Sequence, residues 1–282
     1  MRPYGRESYV SASAPADWLH RTSFVPALLP GERVCSRPLI ATPGTGTGQA
    51  PRSGIPVAIT SKQSLPDDAF ELALRERGYS AAAGVDEVGR GPLAGPVVAG
   101  AVILPVELPD DGLHLIRDSK QLTPDQREMA AAYIERHAVG YACGAADAAE
   151  IDRLGIVAAT RNAMARAIDL LEPAADHLLI DALDLPGIPL PQMSMVRGDA
   201  RCRSIAAASI IAKVTRDRLM VTVWEARFPG YGFAAHKGYG TATHLRALRE
   251  LGPIPGHRLT FAPVREAVAR HGVPDGVPAG TG

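Results

Sequence analysis

GVDEVGRGPLAGPVVAGAVIL, residues 84–104, holds two apolar runs joined by a glycine- and proline-rich segment. SAAAGVDE (80–87) and PVVAGAVIL (96–104) are short and partly β-branched, so they predict a two-stranded hairpin with a glycine-rich connection. Asp86 and Glu87 end the first strand, directly before Gly89, Arg90 and Gly91. Neighbours on a regular strand point to opposite faces, so the two acids can serve one site only if the strand ends or bulges there. An isolated acid pair is more often a solvated strand end. The glycines do not spell a dinucleotide fingerprint, because Pro92 sits where a helix should open, and no GK[ST] follows to make a P-loop.

Upstream, DDAFELALRERG (67–78) has helical apolar spacing. Downstream, Thr123, Pro124 and Gln126 supply an N-cap, a first-turn proline and a capping-box partner, predicting a helix over about 124–137. A third strand is expected in VGYACGAAD (139–147), a helix over about 149–171 ended by Pro173, a buried strand in HLLIDAL (177–183) and a further strand in MSMV (193–196). A long Ala-rich helix over about 201–227 is stopped by Pro229 and Gly230, and helices over about 241–250 and 263–270 complete the chain. Early strands, interleaved helices and a helical last third predict an α/β fold, a mixed sheet flanked by helices with a C-terminal helical extension.

The 282 residues carry 30 Lys plus Arg against 30 Asp plus Glu, and 46% are hydrophobic, the balance of a globular domain with no global field for a polyanion. The apolar stretch 92–106 is short and carries three prolines, so it is no membrane span. Cys35, Cys143 and Cys202 form no CxxC pair, which argues against a disulfide framework and favours a reducing, cytoplasmic setting. Residues 1–66 hold seven Lys or Arg, three acids, nine Pro and six Gly, and read as a disordered basic extension. A transit peptide or a mis-assigned start fits the same composition. Residues 67–271 are expected to form the folded domain that would carry any catalytic site, and 272–282 a flexible tail.

Two further acids stand out. Asp181 lies in a strand too apolar to bury a lone charge, so it should sit at the strand end, bind a cation or pair with an arginine. Asp199, in RGDARCRS, precedes the long helix, where an N-cap is the plainer reading. If Asp86, Glu87, Asp181 and Asp199 converge, each pair about 4 Å apart repels by roughly 4 kcal/mol at an effective dielectric near 20, and the cluster needs a cation. Oxygen ligands select Mg²⁺ or Mn²⁺, and two such ions suit phosphoryl transfer. Arg90, Lys120, Lys213 and Lys237 could complete a phosphodiester site, although each alone is more often a solvated charge. Tyr239, between glycines, could stack on a sugar or base. His236, His244, His257 and His271 match no standard zinc spacing and read as surface or phosphate contacts.

Taken in order, residues 84–104, DSKQLT (118–123), LLIDAL (178–183), GDARCRSIAAASIIAKVTRD (198–217), HKGYGTATH (236–244) and GPIPGHRLTF (252–261) resemble ribonuclease HII, over about 80–265. The resemblance implies a ribonuclease H-like fold. It also implies hydrolysis of the RNA strand of RNA/DNA hybrids and incision 5′ of single ribonucleotides in duplex DNA, with two divalent cations held by Asp86, Glu87, Asp181 and Asp199. By the same resemblance Gly89, Arg90 and Gly91 reach the ribose 2′-hydroxyl through their backbone and Tyr239 packs on the sugar at the RNA-to-DNA junction, while Lys120 and Lys213 are expected as substrate contacts from their charge and position alone.

Val88, Ala182 and the long arm depart from the family pattern, since small residues are common at the first two positions. A monomer is expected, with no membrane association and no sliding-clamp motif in the tail. Ribonuclease HIII, another ribonuclease H-like nuclease or a non-catalytic hybrid-binding module are the competing readings. The first lacks support in the Pro/Gly-rich arm, and the last is opposed by the presence of all four acids.

Overall fold

Two continuous apolar runs within residues 82–103 form adjacent central strands, with residues 82–86 and 97–103 all buried. The computed structural model describes residues 65–275, so most of the predicted arm and tail lies outside the described residues. After helix α1 (Ala69–Glu76) come strands β1 (Ala82–Val88) and β2 (Val97–Ile103), helix α2 (Pro124–His137) and strand β3 (Gly140–Ala146). Helices α3 (Ala148–Leu154) and α4 (Ile156–Asp169) lead to strands β4 (His177–Asp181) and β5 (Gln192–Met195). Helices α5 (Arg203–Leu219), α6 (Ala242–Leu251) and α7 (Ala262–His271) follow. The five strands are ordered β3-β2-β1-β4-β5. The first three pair antiparallel, while β4 runs parallel to β1 and β5 parallel to β4.

Odd-numbered residues of β1 and β2, among them Val85 and Ile103, pack with Ala163, Met164 and Ile168 of α4. Even-numbered Val98 and Val102 pack on the other face with Ile210 and Ile211 of α5. Each fully buried aliphatic side chain contributes roughly 1.5–3 kcal/mol. Gly84 and Gly100 share this second face. A Cβ at Gly84 would lie 2.1 Å from the Ser204 carbonyl carbon, and one at Gly100 would lie 2.4 Å from the Ala208 oxygen. The α5 backbone therefore rests directly on the centre of the sheet, which brings its next turns alongside the end of β1.

The capping box at Thr123 forms as expected, with Thr123 Oγ1 accepting from Gln126 N–H and Gln126 Oε1 accepting from Thr123 N–H. The helix predicted over 149–171 is two helices, broken where Gly155 takes φ 80°. The long helix keeps α geometry to Leu219, then passes through a π-helical turn, Met220–Trp224, that buries Met220 and Trp224. Among the described residues no helix is long and apolar enough to cross a membrane.

Candidate active site

β1 and β4 run parallel, with Val85 beside Ile180, so Asp86 and Asp181 emerge at the same end of the sheet. Asp86 faces α5 and is 5% exposed. Burial pushes its carboxyl well above the usual carboxylate range, the neighbouring Glu87 and Asp181 charges push the same way, and the Ser209 hydroxyl opposes them. The Glu87 N–H donates to Asp86 Oδ1 at 2.7 Å.

β1 keeps regular pairing through Glu87 and Val88, so the two acids stand on opposite faces of the strand, and both line one cleft because it lies at the strand end, where Gly89 turns the chain with φ 89°. Burial raises the Glu87 pKa against the attraction of Arg90, whose Nη1 donates to Oε1 at 3.2 Å. Its other oxygen, Oε2, is buried without a hydrogen-bond partner. Asp181 ends β4 and is also raised by burial, with the Gly198 N–H, 2.7 Å from Oδ1, opposing and Asp199 reinforcing the shift.

Asp199 does not cap the long helix. Cys202 occupies that position, and Asp199 lies in a 3₁₀ turn, Gly198–Ala200. It is 7% exposed and its Oδ2 accepts from Lys120 Nζ at 3.4 Å, outside the residues lining the cleft. Burial works against the Lys120 charge, but Asp199 and Asp118 outweigh it and raise its pKa. The four acids act on one another without forming a ready cage: among the described residues, no three His, Cys, Asp or Glu side chains are gathered where they could hold a metal ion.

The cleft, about 440 Å³, is lined by Asp86, Glu87 and Asp181 on its floor, by Gly89, Arg90, Gly91 and Tyr239 on one wall and by Lys120 and Lys213 on the other. Lys213 is paired with Asp217 at 2.9 Å. Tyr239 is 41% exposed. A methyl at Gly91 would meet only Tyr239 Cε1, at 3.9 Å, so the space between the turn and the ring is open. A methyl at Gly89 would lie 2.3 Å from Arg216 Nε. Packing beneath the turn thus requires glycine at its first position, whereas the third leaves open space toward Tyr239.

Lys237 is not part of this cleft; its ammonium turns back onto the Ala234 carbonyl. Ser119, Arg127 and Ser209 do line it, and sequence reasoning passed over them. Ser119 and Ser209 hydroxyls lie 3.2 Å apart, and Arg127 braces the Lys120 turn by donating to the Ser119 and Leu122 carbonyls at 3.0 and 2.6 Å. Residues 119 and 209 fell within quoted motifs, but a serine in a helix or turn carries no distinguishing signal. Three of the four C-terminal histidines are corrected as well. His236, His244 and His257 are buried rather than at the surface, because His236 and His257 stack on His244, Phe233 meets His236 and His244 edge-on, and Tyr231 lies tilted against His257.

A model of the family "Ribonuclease HII" matches residues 83–264. The ribonuclease HII of Chloroflexus aurantiacus is 56% identical over 206 residues, covering 72% of this chain and 97% of that one. The ribonuclease HII of Dehalococcoides mccartyi is 53% identical over 200 residues, covering 71% and 94%. Among solved structures, ribonuclease H2 from Pyrococcus horikoshii superposes with a TM-score of 0.58 at 25% identity, covering 68% of this chain and 98% of that one. The fold of a Bst-RNase HIII crystallised with Mn²⁺ is similar too, with a TM-score of 0.52, 23% identity and coverage of 71% and 72%. The family match spans both glycine-walled cleft and carboxylate floor, and the chain belongs to the ribonuclease HII family of endoribonucleases.

Proposed function

We propose that this endoribonuclease cuts the RNA strand of RNA/DNA hybrids and incises 5′ of single ribonucleotides in duplex DNA, leaving 3′-hydroxyl and 5′-phosphate ends. Asp86, Glu87, Asp181 and Asp199 would hold two divalent cations, Mg²⁺ or Mn²⁺. The observation that carries this reading is the cleft floor, where burial raises the pKa values of Asp86, Glu87 and Asp181, the Glu87 and Asp181 charges add to the shift of Asp86, and Glu87 Oε2 is buried without a partner. An all-oxygen donor set fits a hard divalent cation. Arg90 on Glu87 and Lys120 on Asp199 act as counter-charges that would yield to such ions. When bound, the cations supply positive charge for the reacting phosphodiester and lower the pKa of water.

The chain's own residues do the rest. Arg90, Lys120 and Lys213 offer positive charge along the cleft walls, and an adjoining groove of about 530 Å³ shares Arg127, Lys213 and Tyr239 with the cleft, giving a duplex room to continue. The ribose would lie in the open space beside Gly91, against the Tyr239 ring. Its 2′-hydroxyl, a donor and acceptor that deoxyribose lacks, would be read by turn backbone that no Cβ shields. Residues 67–271 are proposed as the catalytic unit, working as a monomer in the cytoplasm. The test is incision of an end-labelled duplex containing one ribonucleotide, with Mg²⁺, with Mn²⁺ and with chelator. A metal-dependent cut on the 5′ side is expected. Cleavage of long hybrids alone would exclude the ribose-reading role of the turn.

A further inference from the structure

Two arginines, Arg216 and Arg258, are fully buried with no carboxylate at ion-pair distance among the described residues. Burial lowers their pKa values, to about 10 and about 9, which leaves both charged at neutral pH. Their donors are spent on carbonyls. Arg258 Nη1 donates to the Arg90 oxygen at 2.7 Å, and Nη2 to the Gly89 and Gly95 oxygens at 2.5 and 2.9 Å. Arg216 donates to the oxygens of Pro96, Lys237 and Ala94 at 2.9, 3.0 and 3.2 Å, and its guanidinium carbon lies 6.0 Å from the Tyr239 ring centre.

A trans peptide sets its N–H opposite its carbonyl. Drawing the Gly89 and Arg90 oxygens inward onto Arg258 therefore turns the following amides, of Arg90 and Gly91, outward to the cleft. Arg258 holds the reading turn in the orientation that presents donors.

The residue before it, His257, reaches Tyr239 on the same wall. Ile254 N–H donates to His257 Nδ1 at 3.0 Å, so the neutral ring carries its proton on Nε2. That proton points at His244 Nε2, 2.9 Å away, which places the His244 proton on Nδ1, donating to the Tyr239 carbonyl at 3.0 Å. Backbone contacts alone thus dictate both tautomers. Burial, chiefly, lowers the pKa of His244 to about 4 and of His257 to about 3, so the pair stays neutral at neutral pH. The dipeptide His257–Arg258 grips the glycine turn with one side chain and, through His244, Tyr239 with the other.

We propose that Arg258, Arg216, His257 and His244 form a buried clamp of positioning residues that presets the turn amides and Tyr239, so that discrimination of ribose from deoxyribose depends on side chains that never touch the substrate. This rests on the ribose-reading role given above to the turn. Lysine cannot replace Arg258, because a point ammonium lacks the planar fork that reaches three carbonyls in fixed directions.

The test compares Kd for a DNA duplex with one ribonucleotide against the all-DNA duplex, with Mg²⁺, in an Asp181→Asn background that prevents turnover. The background protein is expected to prefer the ribonucleotide duplex by about tenfold or more, the scale of one well-made hydrogen bond. Arg258→Lys should bring that ratio to near one while all-DNA binding changes little. In the otherwise wild-type enzyme the same variant should raise KM by about tenfold with kcat within about threefold. Destabilisation alone would lower the active fraction and leave the ratio unchanged, so a retained ratio overturns the clamp. If the background protein shows no preference, the ribose-reading turn fails, and the clamp with it. Should Arg258→Lys not fold, His244→Asn, whose amide keeps a donor near the Nδ1 position, should preserve the ratio, and His244→Gln should lose it. Equal behaviour of these two variants also overturns the clamp.

Discussion

Gly89 and Gly91 are two residues apart, yet alanine should affect them in opposite ways. At Gly89 a methyl group meets two costs. The backbone has φ 89°, which costs an L-residue roughly 1–2 kcal/mol. The new Cβ would also lie 2.3 Å from Arg216 Nε, 2.7 Å from Arg216 Cδ and 2.9 Å from the Pro96 oxygen, overpacking of a kind that costs typically 1–3 kcal/mol. Together they predict a loss of about 2–5 kcal/mol. For a domain of this size each kcal/mol moves Tm by about 2–4 °C, so Gly89→Ala should melt about 4–20 °C below wild type. At Gly91 the backbone is not left-handed and the nearest atom to a Cβ is 3.9 Å away, so Gly91→Ala should keep its Tm within a few degrees. Its methyl would nevertheless stand where the ribose is proposed to lie, and incision at a single ribonucleotide should fall by about tenfold or more. The assays are thermal unfolding and incision of an end-labelled duplex under multiple-turnover conditions. A wild-type Tm for Gly89→Ala would refute the packing of Arg216 beneath the turn, and wild-type incision by Gly91→Ala would refute the ribose position.

Asp181→Asn should lower turnover by about 10²–10³-fold or more while duplex binding persists, and retained turnover would remove Asp181 from the catalytic set. Asp86, Glu87 and Asp181 all have raised pKa values, so without cations the folded chain keeps protons that the unfolded chain releases above about pH 4. Their contribution to stability is therefore best below that pH and declines as pH rises through the raised folded values. In chelator, Asp86→Asn should accordingly be more stable than wild type at pH 8, the gain shrinking toward pH 4, and a less stable variant at pH 8 would contradict the electrostatics. Ala182, directly after Asp181, holds φ 55°, so Ala182→Gly should raise stability by up to about 1 kcal/mol in denaturant melts; an unchanged or lower midpoint would show the turn unstrained. Removing residues 1–64, which keeps buried Pro66 and the Asp67 bridge to Cys202, should leave incision of a short duplex unchanged, and lost activity would make the arm part of the enzyme.

Much of this molecule is legible in its sequence because the signals are local. The short, partly β-branched apolar runs of β1 and β2 with Gly and Pro between them, the Thr123 capping box and the apolar run ending at Asp181 depend on neighbours a few residues away, and those elements lie where the pattern puts them. Quoted motifs also brought Asp86, Glu87, Asp181 and the glycine turn to notice, because acids and glycines are conspicuous in apolar strands. The break at Gly155 was missed because one glycine in a helical pattern is usually tolerated, and only the packing of α3 and α4 on the sheet decides that it turns the chain.

Nothing local distinguishes a surface histidine from a buried one, so the sequence pattern reads His236, His244 and His257 as surface or phosphate contacts, whereas the packing of the C-terminal segments buries them. Arg216 was readable in part, since it follows Ala208 and Ala212 at helical spacing on the buried face of α5, but a charge on such a face is usually an error of register. Its partners are the carbonyls of residues 96 and 94, 120 and 122 residues away along the chain, and of residue 237, 21 residues away, while those of Arg258 belong to residues 95, 90 and 89, 163, 168 and 169 residues away. Backbone carbonyls are the same at every position, so no residue type marks them as acceptors. The sequence alone determined the acids, the turn and the strands that carry them. Which buried cations and rings hold that turn in its working orientation was decided only by the tertiary structure, because the acceptors acquire their positions when distant segments pack.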